Sequence, residues 1–349
     1  MSDSPPPPLS GMTRDELAGL IAPEPRFRAE QIFKWIASGV SSFDGMRNLP
    51  LSLRRDLAGR FVPRPGTSVT RHQGSDGTVK LAVRFDDGAC IEAVLLADGP
   101  AGEARYTACL STQVGCPAGC VFCKTGDMGF VRNLDRAEIV EQLFQLGTAA
   151  GPDAVSNIVV MGMGEPFLNR DQLRRALKLI GDNQGLNYSP RRITVSTCGI
   201  SDGIVDLADG GPAVRLALSL TTADEGLRRR LMPITARYPL AEVKDALRYF
   251  QDRGGRRITL EAVLLGGVNT RVRDARDMAD FARGLDATIN LIPWNPVKGL
   301  EFEGRPLREP PPAEVEDFAR RLKALGLNVT RRFRRGRGVM GACGQLGFS

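Results

Sequence analysis

Three cysteines fall within eight residues in the stretch Gly115-Cys116-Pro-Ala-Gly-Cys120-Val-Phe-Cys123, at the spacing C-x3-C-x2-C. Three thiolates on one short loop can gather around one soft metal centre. Structural zinc takes four protein ligands. Iron–sulfur clusters are ordinarily held by four thiolates; a [4Fe–4S] cluster held by Cys116, Cys120 and Cys123 alone keeps one iron open to a small molecule and an electron. Two plainer readings stand beside this one: a zinc loop, and cysteines acting as small apolar residues. Glycine and proline between the cysteines suit a ligand loop better than a core.

Other polar residues with chemical potential recur at regular places. Gly162-Met-Gly164-Glu165-Pro166 combines glycines, which permit close backbone approach, with a carboxylate able to take hydrogen bonds from an amino group or ribose hydroxyls. It is not a phosphate-cradling P-loop, and Glu165 also suits a plain helix N-terminal charge. Ser196, Ser219, Thr221 and Asn295 are small polar residues, each by itself an ordinary cap. Together they can hydrogen-bond a nucleoside joined to an amino acid, and an open-iron cluster beside such a ligand suggests S-adenosylmethionine. Cys109 precedes the triplet, and Cys343 sits among glycines; these two can act as nucleophile and resolving thiol. Glu92, inside Cys-Ile-Glu-Ala-Val-Leu-Leu, is either a surface charge or a functional acid. Cys90 and Cys198 read as small residues, Cys198 at the edge of the same region.

The elements that must position these residues alternate. From about residue 100, strands are expected at 106–111, 157–163, 192–196, 214–220, 257–264, 287–292 and 328–332. Helices are expected at 135–146, 170–180, 204–209, 240–252, 274–284 and 312–325. Repeated strand–helix units imply a parallel sheet covered by helices, and functional loops follow strand C-termini in such folds. Every polar motif above lies there, which predicts an α/β partial barrel of (β/α)6 type, in preference to a doubly wound sheet. Upstream, 14–60 reads as helical, with Thr13 as a cap and Phe27, Ile32, Phe33 and Ile36 on one face. Short strands follow at 66–72, 78–85 and 89–96, with Asp76-Gly77 and Asp87-Gly88 as turns. The expected division is a disordered tail over 1–11, an accessory unit of helices then strands over 12–98, and a barrel over 99–349 whose extension carries Cys343.

Composition sets the class. The 349 residues are 42% hydrophobic and 25% charged, with formal net charge +7 and no apolar run of membrane-span length. The N-terminus carries no basic-then-apolar signal pattern. Seven cysteines, an odd number dominated by the triplet, argue against a disulfide scaffold and for a reducing cytoplasm. The single histidine, His72, excludes histidine-based metal sites and reads as a surface residue. Arg331, Arg332, Arg334, Arg335 and Arg337 form a basic cluster that suits a polyanion or, more plainly, a solvated patch.

Four stretches together resemble a known family: Cys109-Leu-Ser-Thr-Gln-Val-Gly-Cys-Pro-Ala-Gly-Cys-Val-Phe-Cys, Met161-Gly-Met-Gly-Glu-Pro-Phe-Leu-Asn, Asn290-Leu-Ile-Pro-Trp-Asn-Pro and Ala342-Cys-Gly-Gln-Leu. They are similar to the radical S-adenosylmethionine methyltransferases that modify adenine in RNA, and the likeness runs from about residue 15 to 348. The resemblance implies methylation of C2 of adenine in 23S rRNA, and of tRNA as a further substrate. It implies a [4Fe–4S] cluster on Cys116, Cys120 and Cys123, and two molecules of S-adenosylmethionine per turnover. One would methylate Cys343. The other would be cleaved at the cluster to a 5′-deoxyadenosyl radical that activates this methyl group. Cys109 would resolve the protein–RNA link and leave a disulfide with Cys343, and Glu92 would be the acid/base. Gly164, Glu165, Ser196, Ser219, Leu220, Thr221 and Asn295 would contact the cofactor. A one-electron reductant such as flavodoxin, a monomeric state and a cytoplasmic location belong to the same expectation. The chain departs from the family in having Ser219-Leu-Thr221 where Ser-Leu-His is usual, and an arginine-rich 332–339 where Lys-Thr-Arg-Gly-x-Asp-Ile is usual. C8 methylation of the same base, and a zinc-stabilised RNA-binding protein without catalysis, are the competing functions.

Overall fold

A computed structural model of the chain describes residues 6–98, 105–151, 153–331 and 335–347. Helix α1 (Arg14–Leu20) begins as its sequence predicts. Thr13 accepts a hydrogen bond from the Glu16 amide, and the Glu16 carboxylate accepts one from the Thr13 amide. Helix α2 (Arg26–Ala37) buries Ala29, Ile32, Phe33 and Ile36. Phe27 is not on that stripe: positions 29, 32, 33 and 36 follow the helical period, and Phe27 stays 50% exposed beneath the Arg28 guanidinium. Helix α3 (Leu51–Arg60) completes the bundle. Of the tail expected over 1–11, residues 1–5 lie outside the described residues and Leu9–Gly11 are buried instead of disordered. The Leu9 amide donates to the Val62 carbonyl and the Leu9 side chain is fully buried, because one leucine in a proline-rich stretch gains roughly 2 kcal/mol by leaving water.

Strands β1 (Thr67–Gln73), β2 (Val79–Phe85) and β3 (Cys90–Asp98) form an antiparallel meander, with His72 exposed on β1. Strand β4 (Arg105–Cys109) pairs antiparallel with β3 on one edge and parallel with β7 on the other. The helical-barrel pattern follows β4. After it come a hairpin, β5 (Gln113–Gly115) and β6 (Phe130–Asn133), with the one-turn helix α4 (Lys124–Asp127) between its strands, and then α5 (Arg136–Ala150). The repeat continues through β7 (Val155–Val160), α6 (Arg170–Gly181), β8 (Ile193–Thr197) and α7 (Ser201–Gly210). Next are β9 (Arg215–Ser219), α8 (Glu225–Leu231), α9 (Leu240–Asp252) and β10 (Ile258–Leu264). The last elements are α10 (Val272–Ala282), β11 (Ala287–Pro293), the two-residue ribbon β12 (Glu301–Phe302) and β13 (Arg305–Pro306), α11 (Pro312–Ala324) and β14 (Val329–Arg331).

One sheet runs β1-β2-β3-β4-β7-β8-β9-β10-β11-β14. From β4 onward every pairing is parallel. Parallel neighbours need crossovers, and a strand feeding a helix returns with one hand. All these strands therefore end on the same side, and the loops after them face one another. The six strands β4 to β11 are the predicted partial barrel, the antiparallel meander extends its first edge, and β14 its last. Fully buried leucine, isoleucine and valine residues such as Ile158, Val195, Leu218, Leu260 and Leu291 fill the space between sheet and helices.

Candidate active site

The cysteine loop leaves β5 and returns through α4. Gly115 has φ +74, and a Cβ there would lie 1.9 Å from the Gly129 carbonyl oxygen, so no other residue fits the start of the loop. The Cys116 amide then donates to that same carbonyl at 2.8 Å. Two neighbours hold the far side of the loop. The Trp294 indole N–H donates to the Phe122 carbonyl at 2.9 Å, and the Val121 amide donates to the Leu231 carbonyl of α8 at 3.0 Å.

Cys116, Cys120 and Cys123 line one cavity of about 160 Å³ at the strand ends. Among the described residues no group of three or more His, Cys, Asp or Glu side chains is gathered closely enough to hold a single metal ion; the three thiols border a space instead of a point. Burial pushes the Cys116 thiol up to about 12 and raises Cys120 and Cys123 as well, each opposed or reinforced by its neighbours' charge. Without a metal these groups are thiols; a bound metal would displace their protons.

Gly164, Glu165, Ser196, Ser219, Thr221 and Asn295 line the same cavity. Gly164 has φ +104, and a Cβ there would meet the Gln113 side chain at 2.7 Å. Glu165 is buried with both oxygens engaged. One accepts from the Thr197 hydroxyl at 2.8 Å and the Phe167 amide at 3.1 Å, the other from the Cys198 amide at 2.7 Å. Burial raises its carboxyl, and these hydrogen bonds pull the other way. Leu220, also expected there, does not line the cavity. Its side chain is fully buried, its amide donates to the Glu261 carbonyl, and its carbonyl accepts from Arg228.

Thr221 carries two signs of a site. It is a β-branched residue at φ +60, a conformation such residues rarely adopt. Among the described residues its buried hydroxyl and the buried Oδ1 of Asn295 have no hydrogen-bond partner. Two orphaned polar atoms facing a cavity walled by three thiols fit a polar cofactor seated beside a thiolate-held cluster.

Cys109 lies in a second cavity of about 390 Å³, with Thr107 two residues before it on the same face of β4. Cys343, Asn295 and Met161 border both cavities. The segment 342–347 is tied down along its length. Asn295 Nδ2 donates to the Cys343 carbonyl, the Lys124 amide to the Gly344 carbonyl, the Thr125 hydroxyl to the Leu346 carbonyl, and Gln345 Nε2 to the Pro296 carbonyl. Glu92 lines neither cavity. It is 2% exposed, with one oxygen 2.8 Å from Lys80 Nζ and the other accepting from the Gly347 amide at 2.7 Å.

Among the basic cluster, Arg332 and Arg334 lie outside the described residues. Arg331 and Arg335 border the second cavity. Each described member faces an acid: Arg331 with Glu316, Arg335 with Asp98, Arg337 with Glu309.

Two residues escaped the sequence reading. Glu261 lines the first cavity, where its carboxylate accepts from the Ser196 hydroxyl at 3.4 Å; a charge inside the apolar run of β10 was the available signal. Arg228 is fully buried behind the cysteine loop. Nothing in the run Leu227-Arg-Arg-Arg-Leu231 marks which of its arginines turns inward.

Residues 110–282 match the radical SAM superfamily, and residues 8–62 match the N-terminal domain of ribosomal RNA large subunit methyltransferases. A probable dual-specificity RNA methyltransferase RlmN from Treponema denticola is 49% identical over 339 residues, 97% of this chain and 95% of that protein. The chain belongs to the RlmN family of radical SAM methyltransferases. A probable RlmN from Thermus thermophilus is 43% identical over 323 residues, 92% of this chain and 88% of its own. A crystal structure of a radical SAM methyltransferase from Sphaerobacter thermophilus superposes with a TM-score of 0.90 at 39% identity, covering 98% of this chain and 99% of that one. As in the family, this is an enzyme that uses S-adenosylmethionine and an iron–sulfur centre, built on the partial barrel expected from the sequence.

Proposed function

We propose that the enzyme methylates C2 of adenine in 23S rRNA and in tRNA, with Cys343 as the methyl carrier. The observation that supports this reading is the position of Cys343 at the border of two cavities, one walled by Cys116, Cys120 and Cys123, the other by Cys109. A group carried on Cys343 can face the cofactor from one side and the base from the other without leaving its place.

Cys116, Cys120 and Cys123 would hold the cluster, and Gly164, Glu165, Ser196, Ser219, Thr221 and Asn295 the S-adenosylmethionine. The bound groups supply a methyl group and a carbon-centred radical, which C2 of adenine requires because it has no nucleophilic character. The chain's own residues do the rest. Asn295 fixes the Cys343 backbone. Cys109 takes the C2 proton and then resolves the link: its sulfur bonds to the Cys343 sulfur as the carbon–sulfur bond to RNA breaks, a proton passes to the departing carbon to complete the methyl group, and the electron left unpaired by the radical addition leaves to a one-electron acceptor. An external thiol reductant returns the disulfide to two thiols. Glu92, which lines neither cavity, tethers Gly347 at the end of the segment that carries Cys343. Residues 12–98 serve as the accessory unit and 99–349 as the catalytic one, in a monomer of the cytoplasm that draws electrons from a one-electron donor such as flavodoxin. No described helix is long and apolar enough to cross a membrane.

The test is the product. Anaerobically reconstituted enzyme is incubated with 23S rRNA fragments and tRNA transcripts, and the methylated atom is mapped by mass spectrometry. C2-methyladenosine is expected from the parent and none from Cys343→Ala, while Cys109→Ala should accumulate a protein–RNA adduct. Product at C8, or full turnover by Cys343→Ala, overturns the proposal.

A further inference from the structure

Arg228 is among the largest fully buried side chains in the molecule. Its guanidinium donates to the Leu220 carbonyl at 3.1 Å, the Thr235 hydroxyl at 2.6 Å, the Cys198 carbonyl at 2.6 Å and the Ser219 carbonyl at 3.2 Å. All four acceptors are neutral. An arginine side chain does not give up its proton in a protein, so a full positive charge sits in the interior held by dipoles alone. Burying such a charge is costly unless an opposite charge lies close by.

The surroundings show where that charge is directed. Glu165 lies across the Cys198 peptide: the carboxylate takes its N–H at 2.7 Å while Arg228 takes its C=O. Glu225 stands one turn before Arg228 on α8, and Cys198, whose carbonyl Arg228 holds, lines the same cavity as Cys116, Cys120 and Cys123. The backing element is α8 itself, which grips the cysteine loop through the bond from Val121 to Leu231. The positive charge is thus built in behind the wall of the cluster cavity, and its hydrogen bonds keep it from swinging away.

We propose that Arg228 is the fixed counter-charge of the iron–sulfur cluster and that its field makes the cluster easier to reduce. This rests on the assignment of Cys116, Cys120 and Cys123 as cluster ligands made above. In the step concerned, one electron passes from an external one-electron donor to the cluster. No atom moves, and the centre becomes one unit more negative. A nearby immobile positive charge stabilises the reduced form over the oxidised one. Arg228 touches neither substrate nor reacting atoms; it is a positioning residue for charge.

The experiment is a potentiometric titration of the reconstituted full chain without S-adenosylmethionine or RNA, read by electron paramagnetic resonance, with iron and sulfide counted in each sample. Arg228→Gln removes the charge and keeps hydrogen-bonding groups; Arg228→Lys keeps the charge. The Gln variant is expected to reduce at least tenfold less favourably, about 59 mV lower for one electron, with the Lys variant near the parent. Glu225→Gln provides a variant that leaves Arg228 in place. It keeps an acceptor for the Leu240 amide, which Glu225 now binds at 2.9 Å, and should move the potential upward. Parent-like potentials in Arg228→Gln or Glu225→Gln at full iron content overturn the counter-charge role. So does an equal shift in Arg228→Gln and Arg228→Lys. A parent chain that assembles no iron–sulfur cluster overturns the ligand assignment instead.

Discussion

Thr221 concentrates the tension between folding and binding in one residue. Its backbone is held at φ +60 and its buried hydroxyl has no partner among the described residues. Thr221→Val keeps the shape and deletes only the hydroxyl. The cofactor-free chain should melt no lower, because an unsatisfied buried group is lost, whereas affinity for S-adenosylmethionine should fall about fivefold to tenfold, the loss of roughly one hydrogen bond. Differential scanning calorimetry and equilibrium binding read the two signs separately. Cys116 gives a pH signature. Its thiol is pushed from 9.0 up to about 12 in the fold, so between those values the unfolded chain releases a proton that the folded chain keeps. The Cys116 contribution to stability is therefore full below pH 9 and is lost as pH rises towards about 12. Denaturant melts of the cluster-free chain should show this loss, and Cys116→Ser should make it shallower by one group, the raised Cys120, Cys123 and Cys198 thiols keeping the remainder.

At the scale of elements, the strap formed by 342–347 is anchored at its end by a buried ion pair. Lys80 on β2 neutralises Glu92 on β3, and Glu92 holds the Gly347 amide. Lys80→Met would leave a buried carboxylate alone and should cost about 3–5 kcal/mol in a chemical melt. Adding Glu92→Gln should restore part of it, and failure to do so would show that packing at Lys80, not its charge, sets the loss. This pair also marks where sequence reading stopped. Strands, helices and the strand-end location of every motif were legible because periodicity and turn residues are local. The burial of Glu92 was not, since alternation along β3 put it opposite Ile91 and Ala93 and gave no hint that both faces of that strand are covered. Nor was the inward turn of Arg228, which depends on a helix, α8, that the sequence reading passed over. The three thiols were readable from spacing, but their common cavity with Cys343 depends on contacts across more than two hundred residues of chain.

Across the whole molecule, formal charge overstates what a polyanion meets. The net charge is +7, yet Arg331, Arg335 and Arg337 each face an acid. Arg335 and Asp98 stand together at the edge of the Cys109 cavity. Asp98→Asn removes the competitor and should tighten RNA binding several-fold at low salt, with a steeper decline as salt is raised. Filter binding across a salt series measures both, and an unchanged slope would place RNA elsewhere.

The single sheet carries a last consequence. Cys109 reaches its cavity only because Thr107 and Cys109 share one face of β4, which is locked in register to Leu96 and Val94 on β3 and to Asn157 and Val159 on β7. Facing alternates residue by residue, so the strand enforces a rule of parity. The ladder to β7 already shifts register between Tyr106 and Thr107, so the rule holds beyond that point: one residue inserted between Thr107 and Cys109 would turn the thiol to the other face, and two would return it. Insertion scanning through β4 should thus show activity that alternates with odd and even length, a pattern no count of conserved atoms would foretell.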